Sequence, residues 1–405
     1  MTLSSKFNSQ FKNSGINIAL VGAGQMGQGV VSQISKQENM HLVFIVDRNE
    51  EKLQEAVSRY TSNKRLSPSI SQDISTVDFS DIDVVVEATG SPIAGAIVAE
   101  YVLKNGVDLI LLNVETEATI GLELKRLSEE NNCIVTVGYG DEPTTAMELY
   151  NFAEELSFEV ISIGKGKNNP FNRYATPSDL ASEAKMKKMN SKMLTSFVDG
   201  TKTMIEMAAL ANSIGFSVDK DGMHGPKSKP EHLNKIFVPK EDGGILSNKG
   251  VVDFAFGIAP GVFTVIYSED EYVNYEMEYL KMGEGPYWSL YRPYHLTSLE
   301  TPRTIMDLAV NKESILNSNY WNVYVAAYAK RNLKQGEKLD SIGGNCYFGV
   351  ALNNTEGRPW IPVGIAENAI ITSPVNKGEP ISIDSVEIEE STIYNFWKDQ
   401  EKKLA

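Results

Sequence analysis

The feature that most constrains this sequence is an alternation of short apolar runs with amphipathic stretches between Ile16 and Tyr139. The apolar runs are INIALVG, LVFIVD, IDVVVEATG, VDLILLNV and CIVTVGYG. Helical patterns separate them at about 25–37, 49–60, 92–105 and 117–131. Apolar runs without a period of two are typical of strands covered on both faces. We therefore predict an α/β fold with a doubly wound parallel sheet.

The pattern changes after about residue 143. A helix at 143–157 and the strand FEVISIGKG lead to a Lys-rich helix, a long helix at 199–214 and several Gly/Pro-rich turns. This order predicts an α+β domain for substrate binding and dimerisation, with the helix at 301–312 packing back on the first domain. Short strands and turns follow from about 321, and the last residues predict a short helix. We expect a polar tail at 1–15 and domains at 16–150, 151–320 and 321–405.

Charge restricts the partners. The 405 residues carry a net charge of −15, which disfavours nucleic acid and anionic membranes as partners. Residues 164–240 run against this trend, with 13 Lys and Arg against 7 Asp and Glu. That segment is either a site for a small anionic substrate or a solvated surface. Two separated cysteines, no signal-peptide pattern and no apolar run of membrane-spanning length predict a cytoplasmic protein.

A glycine motif follows the first predicted strand. Gly22, Gly24 and Gly27 stand at the G-x-G-x-x-G spacing, with Gln25 and Met26 opening the next helix. The first glycine permits a tight turn, the second lets a pyrophosphate approach the backbone, and the third lets helix and strand pack closely. The motif predicts an N-terminal Rossmann sheet that binds NAD or NADP. The alternative is a structural glycine turn.

Other strand ends complete the predicted cofactor site. Asp47 ends the second strand, 20 residues after Gly27, where a carboxylate can accept hydrogen bonds from the ribose of NAD. Arg48 follows and is able to face the extra phosphate of NADP. Thr89 and Gly90 follow another strand and are expected beside the nicotinamide half. The alternative for them is a simple strand-to-helix turn.

Acidic and amide side chains follow two further strands. Asn113 and Glu115 follow the strand predicted in VDLILLNV, and Asp141 and Glu142 follow the strand predicted in CIVTVGYG. We expect Asn113 and Glu115 to contact substrate. Asp141 and Glu142 are candidates for proton transfer or, if a divalent metal is present, for binding it. Helix capping is the competing interpretation.

The predicted helix at 199–214 places three charges on one stripe of an otherwise apolar surface. Asp199, Lys202 and Glu206 share this stripe. Buried charges are costly unless they are paired or used in chemistry. We predict that Lys202 polarises a carbonyl or transfers a proton, tuned by Asp199 and Glu206. The alternative is a structural ion cluster.

Lysines in GKGKNNP form a second candidate site. Lys165, Lys167 and Asn168 are expected in a glycine-rich turn after a strand, where ammonium and backbone N–H groups hold a phosphate or carboxylate. A surface hairpin is the alternative. His295, in the loop RPYHL, is a further candidate for substrate binding.

A set of segments resembles one enzyme family. They are GDEP (140–143), GKGKNNP (164–170), SFVDGTK (196–202), GMHGP (222–226), APGVF (259–263) and RPYHL (292–296). They are similar to homoserine-dehydrogenase-like oxidoreductases that end in a small all-β SAF (β-clip) domain, among them the deoxyxylulose phosphate reductoisomerase-like (DRL) enzymes. AKRNLKQGEKLD with GGNCYFG resembles the SAF domain itself.

The resemblance implies an NAD(P)-dependent homodimeric enzyme. The DRL branch rearranges deoxyxylulose phosphate and reduces it with NADPH to methylerythritol phosphate, a step of isoprenoid biosynthesis. Asn113-Val114-Glu115 lacks the lysine that homoserine dehydrogenases place after asparagine at this point. Three functions stay open: a reductoisomerase or oxidoisomerase acting on a sugar phosphate or sugar acid, a simple dehydrogenase of homoserine type, and a non-catalytic NAD(P)- or carbohydrate-binding protein.

Overall fold

The computed structural model describes residues 1–64, 66–355 and 359–404. Its helices, in chain order, are α1 (Leu3–Gln10), α2 (Gln25–Ile34), α3 (Glu50–Thr61), α4 (Pro92–Lys104), α5 (Val114–Glu130), α6 (Glu142–Glu155), α7 (Ala181–Met186), α8 (Ser191–Val198), α9 (Thr201–Ile214), α10 (Leu233–Ile236), α11 (Glu271–Tyr279), α12 (Thr301–Asn311), α13 (Val363–Ala366) and α14 (Thr392–Leu404). Short 3₁₀ helices lie at Ile74–Thr76, Pro230–His232, Lys240–Asp242, Thr297–Glu300 and Ile383–Ser385.

The strands, in chain order, are β1 (Ile16–Val21), β2 (Met40–Val46), β3 (Ser69–Ser71), β4 (Val84–Glu87), β5 (Asp108–Leu111), β6 (Val135–Val137), β7 (Glu159–Lys167), β8 (Val251–Phe256), β9 (Val262–Tyr267), β10 (Tyr287–Arg292), β11 (Val323–Ala329), β12 (Tyr347–Asn353), β13 (Ile370–Ile371) and β14 (Val386–Glu387). The described chain forms two compact units. Unit 1 comprises 1–144, 296–317 and 390–405, and unit 2 comprises 145–295 and 318–389.

Unit 1 is built on a six-stranded parallel sheet in the order β3-β2-β1-β4-β5-β6. This is the doubly wound Rossmann order, with the reversal between β1 and β4. Val21 is in register with Val46 on one side and with Glu87 on the other, and Glu87 is in register with Leu111. The carboxyl ends of the central strands therefore lie along one edge of the sheet.

The apolar runs become strands because helices cover the sheet and bury them. Ile18, Leu20, Ile45 and Val86 all lie in one core with residues of α2 and α3. Part of that core comes from α12, which packs against α1 and α2, as the sequence analysis expected of the helix at 301–312. The expected α/β class with a parallel sheet is confirmed.

Two features of unit 1 differ from the expectation. Residues 1–15, expected as a polar tail, contain helix α1, whose Phe7 is buried in the core and lies 5.0 Å from the Phe11 ring, centroid to centroid. The short edge strand β3 has no counterpart in the sequence analysis. A three-residue strand reading Ser-Ile-Ser carries too little apolar periodicity to be recognised.

Unit 2 contains a four-stranded mixed sheet in the order β10-β9-β7-β8, together with the antiparallel pairs β11–β12 and β13–β14. Strand β7 is internal, parallel to β8 and antiparallel to β9. Helix α9 packs against β8, β11 and β12, so the strands after residue 321 share the packing of this unit. None of the helices in the described residues combines the length and apolar composition that crossing a bilayer requires.

Two predicted boundaries in unit 2 were wrong. Strand β7 continues through Lys167, so Lys165 and Lys167 lie within a strand rather than in the glycine-rich turn that follows it. Helix α9 begins at Thr201 instead of residue 199, because Gly200 takes a left-handed conformation (φ 89°) and ends the preceding helix. Asp199 therefore caps α8 and does not belong to the stripe on α9.

Candidate functional site

The glycine motif of unit 1 forms a bend that tolerates no side chain at two positions. Gly22 has a φ of 98°, and a Cβ there would come within 2.6 Å of the Ala88 backbone. A Cβ on Gly27 would lie 2.0 Å from the Gly22 carbonyl oxygen. Strand β1 and helix α2 can therefore approach this closely only with glycine at both positions. We call residues 22–27 the glycine cradle.

Gly24 differs because a Cβ on it would meet no protein atom within 4 Å. It is the N-cap of α2, and as a glycine it has no side chain that could cap the helix. Gln25 and Met26 open the helix, and N–H groups in a first helical turn have no intrahelical acceptor. An open space in front of an uncapped helix start fits a pyrophosphate, which accepts such hydrogen bonds and is favoured by the helix dipole.

Asp47, predicted to contact the ribose, also supports the cradle. Its Oδ2 accepts a hydrogen bond from Ala23 N at 2.7 Å, and its Oδ1 accepts one from Asn49 N at 2.8 Å. The carboxylate therefore fixes the glycine turn from the end of β2 and is half-buried there. Arg48, the alternative contact for a 2′-phosphate, is exposed beside it.

The ends of β4 and β5 are joined by a hydrogen-bond network around Glu87. This carboxyl group is fully buried. Its Oε1 accepts hydrogen bonds from Thr89 N at 2.8 Å, from Thr89 Oγ1, and from Asn113 Nδ2 at 3.4 Å. Asn113 Nδ2 also donates to Ser91 O at 2.9 Å. Burial raises the pKa of Glu87 to about 7, against the hydrogen bonds from Thr89 and Asn113, which lower it.

The predicted residues at these strand ends take different positions. Thr89 is half-buried, whereas Gly90 is exposed with a φ of 69° and space around it. Asn113 is the buried N-cap of α5, its side chain accepting from Thr116 N at 3.4 Å, and Glu115 lies in the first turn of that helix. The capping interpretation thus describes Asn113.

Asp141 and Glu142 stand at the start of α6. Asp141 is buried, and its Oδ1 accepts a hydrogen bond from Glu142 N at 3.0 Å. Glu142 is the first residue of the helix and is half-buried. An acidic first turn favours the helix dipole, which agrees with the capping interpretation. Their proposed part in proton transfer or metal binding stays a prediction.

In unit 2, Lys165 and Lys167 are two residues apart on β7 and therefore point to the same face of the sheet. Both are buried, which excludes the surface hairpin that the sequence left open. Lys165 forms an ion pair with Glu206 of α9. The structure thus connects two residues that the sequence analysis had placed in separate candidate sites.

The buried charge of Lys167 has weaker partners than that of Lys165. Its ammonium donates to the Phe197 carbonyl oxygen and lies 5.6 Å from the centroid of the Phe171 ring. Burial, together with the Lys165 charge, lowers the pKa of Lys167 to about 8, although Glu206 and Asp199 act in the opposite direction. Within the described residues, no carboxylate lies within ion-pair distance of this ammonium.

Asp199 has a partner that the sequence did not suggest. Its Oδ2 lies 2.8 Å from Lys330 Nζ, and both side chains are almost fully buried. Asp199 Oδ1 accepts from Thr201 N at 2.8 Å, and Lys330 Nζ donates to Gly344 O at 2.7 Å. Burial raises the pKa of Asp199, and the Lys330 ammonium opposes that shift. We refer to Lys165, Lys167, Glu206, Asp199 and Lys330 as the buried charge cluster.

The other predicted residues of unit 2 are more accessible. Lys202 is half-buried on the first turn of α9, and His295 is half-buried after β10. Asn168 is exposed immediately after β7. Glu87 and Lys330 are functional candidates that the sequence pattern did not indicate. A glutamate ending an all-apolar strand was a usable signal for Glu87, whereas nothing local marks Lys330 as the partner of a residue 131 positions earlier.

Two family models match the chain. Residues 22–138 match the NAD-binding domain of homoserine dehydrogenase, and residues 140–301 match the catalytic domain of oxidoreductase DRL. The first match covers the glycine cradle and the second covers most of the buried charge cluster. None of the curated proteins compared with the chain matches it.

Several solved structures are also similar to the chain. GenD2 from gentamicin A biosynthesis, in complex with NAD, has 11% identity over 74% of this chain and 87% of its own, with a TM-score of 0.41. Scyllo-inositol dehydrogenase from Lactobacillus casei has 15% identity over 68% and 76%, with a TM-score of 0.40. A probable dehydrogenase from Thermotoga maritima has 14% identity over 74% and 90%, with a TM-score of 0.43.

Proposed function

We propose that this chain, an NAD(P)-dependent oxidoreductase with a homoserine-dehydrogenase-type NAD-binding domain and a DRL-type catalytic domain, acts as a reductoisomerase or oxidoisomerase. Its proposed substrate is a small anionic sugar phosphate or sugar acid, and the model reaction is the conversion of deoxyxylulose phosphate to methylerythritol phosphate. The finer elements of this proposal, the substrate and the rearrangement, come from the resemblance of the sequence motifs and from the charges of unit 2.

The observation that carries the proposal is the state of Lys167. Its buried ammonium has three donors, and its partners among the described residues are one carbonyl oxygen and the face of one ring. Keeping a charge buried with so few partners is costly, and such a cost is typical of a site that a ligand completes. A phosphate or carboxylate supplies the negative charge and the acceptors that Lys167 lacks.

The other residues receive roles that suit their chemistry. Lys165, held by Glu206, orients the anionic group together with Lys167 and Asn168. Lys202 polarises the substrate carbonyl and holds the proton that the rearrangement moves, and Asp141 and Glu142 are proton acceptors or ligands of a divalent metal. From the sequence pattern we assign contacts with substrate to His295 and Glu115. Asn113, which the sequence also suggested for this role, is buried as the N-cap of α5 and supports the end of β5 instead. When bound, NAD(P) supplies the reducing equivalent.

Three structural proposals accompany this function. The first is that the sequence consists of three modules, at 16–150, 151–320 and 321–405. The short strands from β11 to β14 are the proposed SAF module, and the active protein is proposed to be a homodimer. Size-exclusion chromatography with light scattering tests the dimer directly, since a monomeric mass contradicts it.

The decisive experiment is product analysis. The purified protein is incubated with deoxyxylulose phosphate and NADPH, and with sugar acids, and carbon connectivity is read by NMR. A branched product supports the proposal, and reduction without rearrangement supports the simple dehydrogenase. Absence of turnover with every sugar phosphate, sugar acid and amino-acid alcohol, together with intact dinucleotide binding, supports the non-catalytic binder.

Variants separate chemistry from folding. Lys202→Ala is expected to abolish turnover and to leave NAD(P) affinity unchanged, and Lys167→Met is expected to raise the KM for the anionic substrate. Lys185→Ala removes an exposed lysine from the same basic segment and serves as the control. Equal loss of activity in the control contradicts a specific role for the buried lysines.

A further inference from the structure

The buried acid of the cofactor-binding unit has no part in the function proposed above. Glu87 ends β4, directly beside the point where the strand order of the sheet reverses. It is fully buried, and whereas its Oε1 accepts from Thr89 and Asn113, its Oε2 has no hydrogen-bond partner in the described residues. A half-satisfied buried carboxyl is costly, so its position calls for an explanation.

The charges around Glu87 are few. The flanking strands place Val21 and Leu111 in register with it. Helix α4 carries no acidic residue in its first turn, and α5 brings Glu115 and Glu117. Burial is the main cause that raises the pKa of Glu87 to about 7; the hydrogen bonds from Thr89 and Asn113 oppose it, and the charge of Glu115 adds to it. Both charge states of this carboxyl are therefore populated near neutral pH.

The location of Glu87 places its change of charge on the side of the sheet where a bound dinucleotide is expected. In a doubly wound sheet a dinucleotide lies across the carboxyl ends of the strands at the reversal, with one half on each side. The glycine cradle follows β1 and holds the pyrophosphate, so the half of the sheet that begins with β4 receives the nicotinamide. The nicotinamide ring carries a positive charge when oxidised and none when reduced.

We propose that Glu87 is a positioning residue that couples proton binding to the redox state of the bound dinucleotide. Its carboxylate favours the oxidised, cationic nicotinamide, and its neutral acid favours the reduced form. Replacing oxidised by reduced cofactor on the protein is then accompanied by uptake of a proton at Glu87. The inference depends on NAD(P) binding and is independent of the substrate proposed above.

The test is a set of binding measurements. Dissociation constants of the oxidised and reduced forms of the preferred coenzyme are measured by calorimetry at about pH 6 and about pH 8, on either side of the Glu87 pKa. A single negative charge on the nicotinamide side of the sheet is expected to lower the ratio of the oxidised to the reduced dissociation constant by about tenfold over this range. Glu87→Gln, neutral and isosteric, should keep the ratio constant.

A control variant at a surface carboxylate and a count of the protons taken up complete the experiment. Glu129→Gln on α5, whose side chain is exposed, should retain the pH dependence of the wild type. If Glu87→Gln does not fold, calorimetry of the wild type in buffers of different ionisation enthalpy still counts the protons taken up when reduced cofactor replaces oxidised cofactor. A ratio independent of pH in the wild type, or unchanged pH dependence in Glu87→Gln, overturns the inference. Failure of both coenzymes to bind instead overturns the dinucleotide site itself.

Discussion

The glycine cradle of unit 1 and the buried charge cluster of unit 2 are built from opposite materials. The cradle is shaped by its backbone, with glycine at the three positions of the motif, and all of its residues lie between 22 and 27. The charge cluster consists of long side chains that come from positions 165 to 330 and converge on one another. The comparison shows that a site made by backbone geometry is specified locally, whereas a site made by charge is specified by tertiary packing.

The largest effect is expected from breaking the buried ion pair of unit 2. Lys330→Met leaves the Asp199 carboxylate buried without its cation, which should lower the free energy of unfolding by about 3–5 kcal/mol. Urea-induced unfolding measures this change. Because the cradle is made by other residues, dinucleotide affinity measured below the unfolding transition should not change.

Lys334→Met is the matched control, since that lysine is exposed in the same region. A change below about 0.5 kcal/mol is expected for it. Equal stability of Lys330→Met and the control would show that the pair is compensated from elsewhere.

The second prediction concerns the cradle. Gly24→Ala adds a Cβ that meets no protein atom within 4 Å, so stability should be retained while dinucleotide affinity falls by roughly 10- to 100-fold through lost access to the backbone. Calorimetric titration and thermal unfolding measure the two quantities.

Gly27→Ala should lower both stability and affinity, because its Cβ would lie 2.0 Å from the Gly22 carbonyl oxygen. If Gly24→Ala binds as tightly as the wild type, the pyrophosphate does not lie over Gly24.

The third prediction uses the pKa of Lys167, which falls from 10.5 to about 8 on folding. Because the folded protein disfavours the charged ammonium, Lys167 does not lower the stability of the protein above pH 10.5, where the amine is neutral. That stability is lost as pH falls through 8 and the buried amine takes up a proton. Lys167→Met should therefore stabilise the protein at pH 7 by about 1–2 kcal/mol, less than the full shift because the hydrogen bond to Phe197 is also lost. Urea unfolding should show the gain shrinking towards pH 10.

The smallest effect on stability is expected from replacing Glu87. Its pKa rises on folding from 4.5 to about 7, whereas that of Lys167 falls. Because the folded protein disfavours the charged carboxylate, Glu87 does not lower the stability of the protein below pH 4.5, where the acid is neutral. That stability is lost as pH rises through 7 and the buried acid releases its proton. Glu87→Gln should stabilise the protein by about 1 kcal/mol at pH 8 and by nothing near pH 4.5. Thermal unfolding across this range that shows no pH-dependent difference would contradict the assignment of the pKa.

The same contrast explains what sequence alone could predict. The parallel sheet, its helices and the cradle follow from local patterns of period and glycine spacing, and Gly22, Gly24 and Gly27 take the geometry expected. The pairing of Lys165 with Glu206 was not predicted, although each residue was singled out, because only the docking of α9 on the second sheet brings them together. Asp199 was assigned to the wrong helix, since one left-handed glycine moved the start of α9.

Helix α14 completes unit 1 by packing against α4 and α5. Gln400 Oε1 accepts from Glu123 N at 3.4 Å, and Lys403 Nζ lies 2.8 Å from Glu123 Oε2. A ribosome reaches this helix only after making residues 145–389, so the nucleotide-binding unit waits for its last segment while another unit is being synthesised. The surface of α4 and α5 that α14 covers in the folded protein therefore has no such partner until the end of the chain has been made.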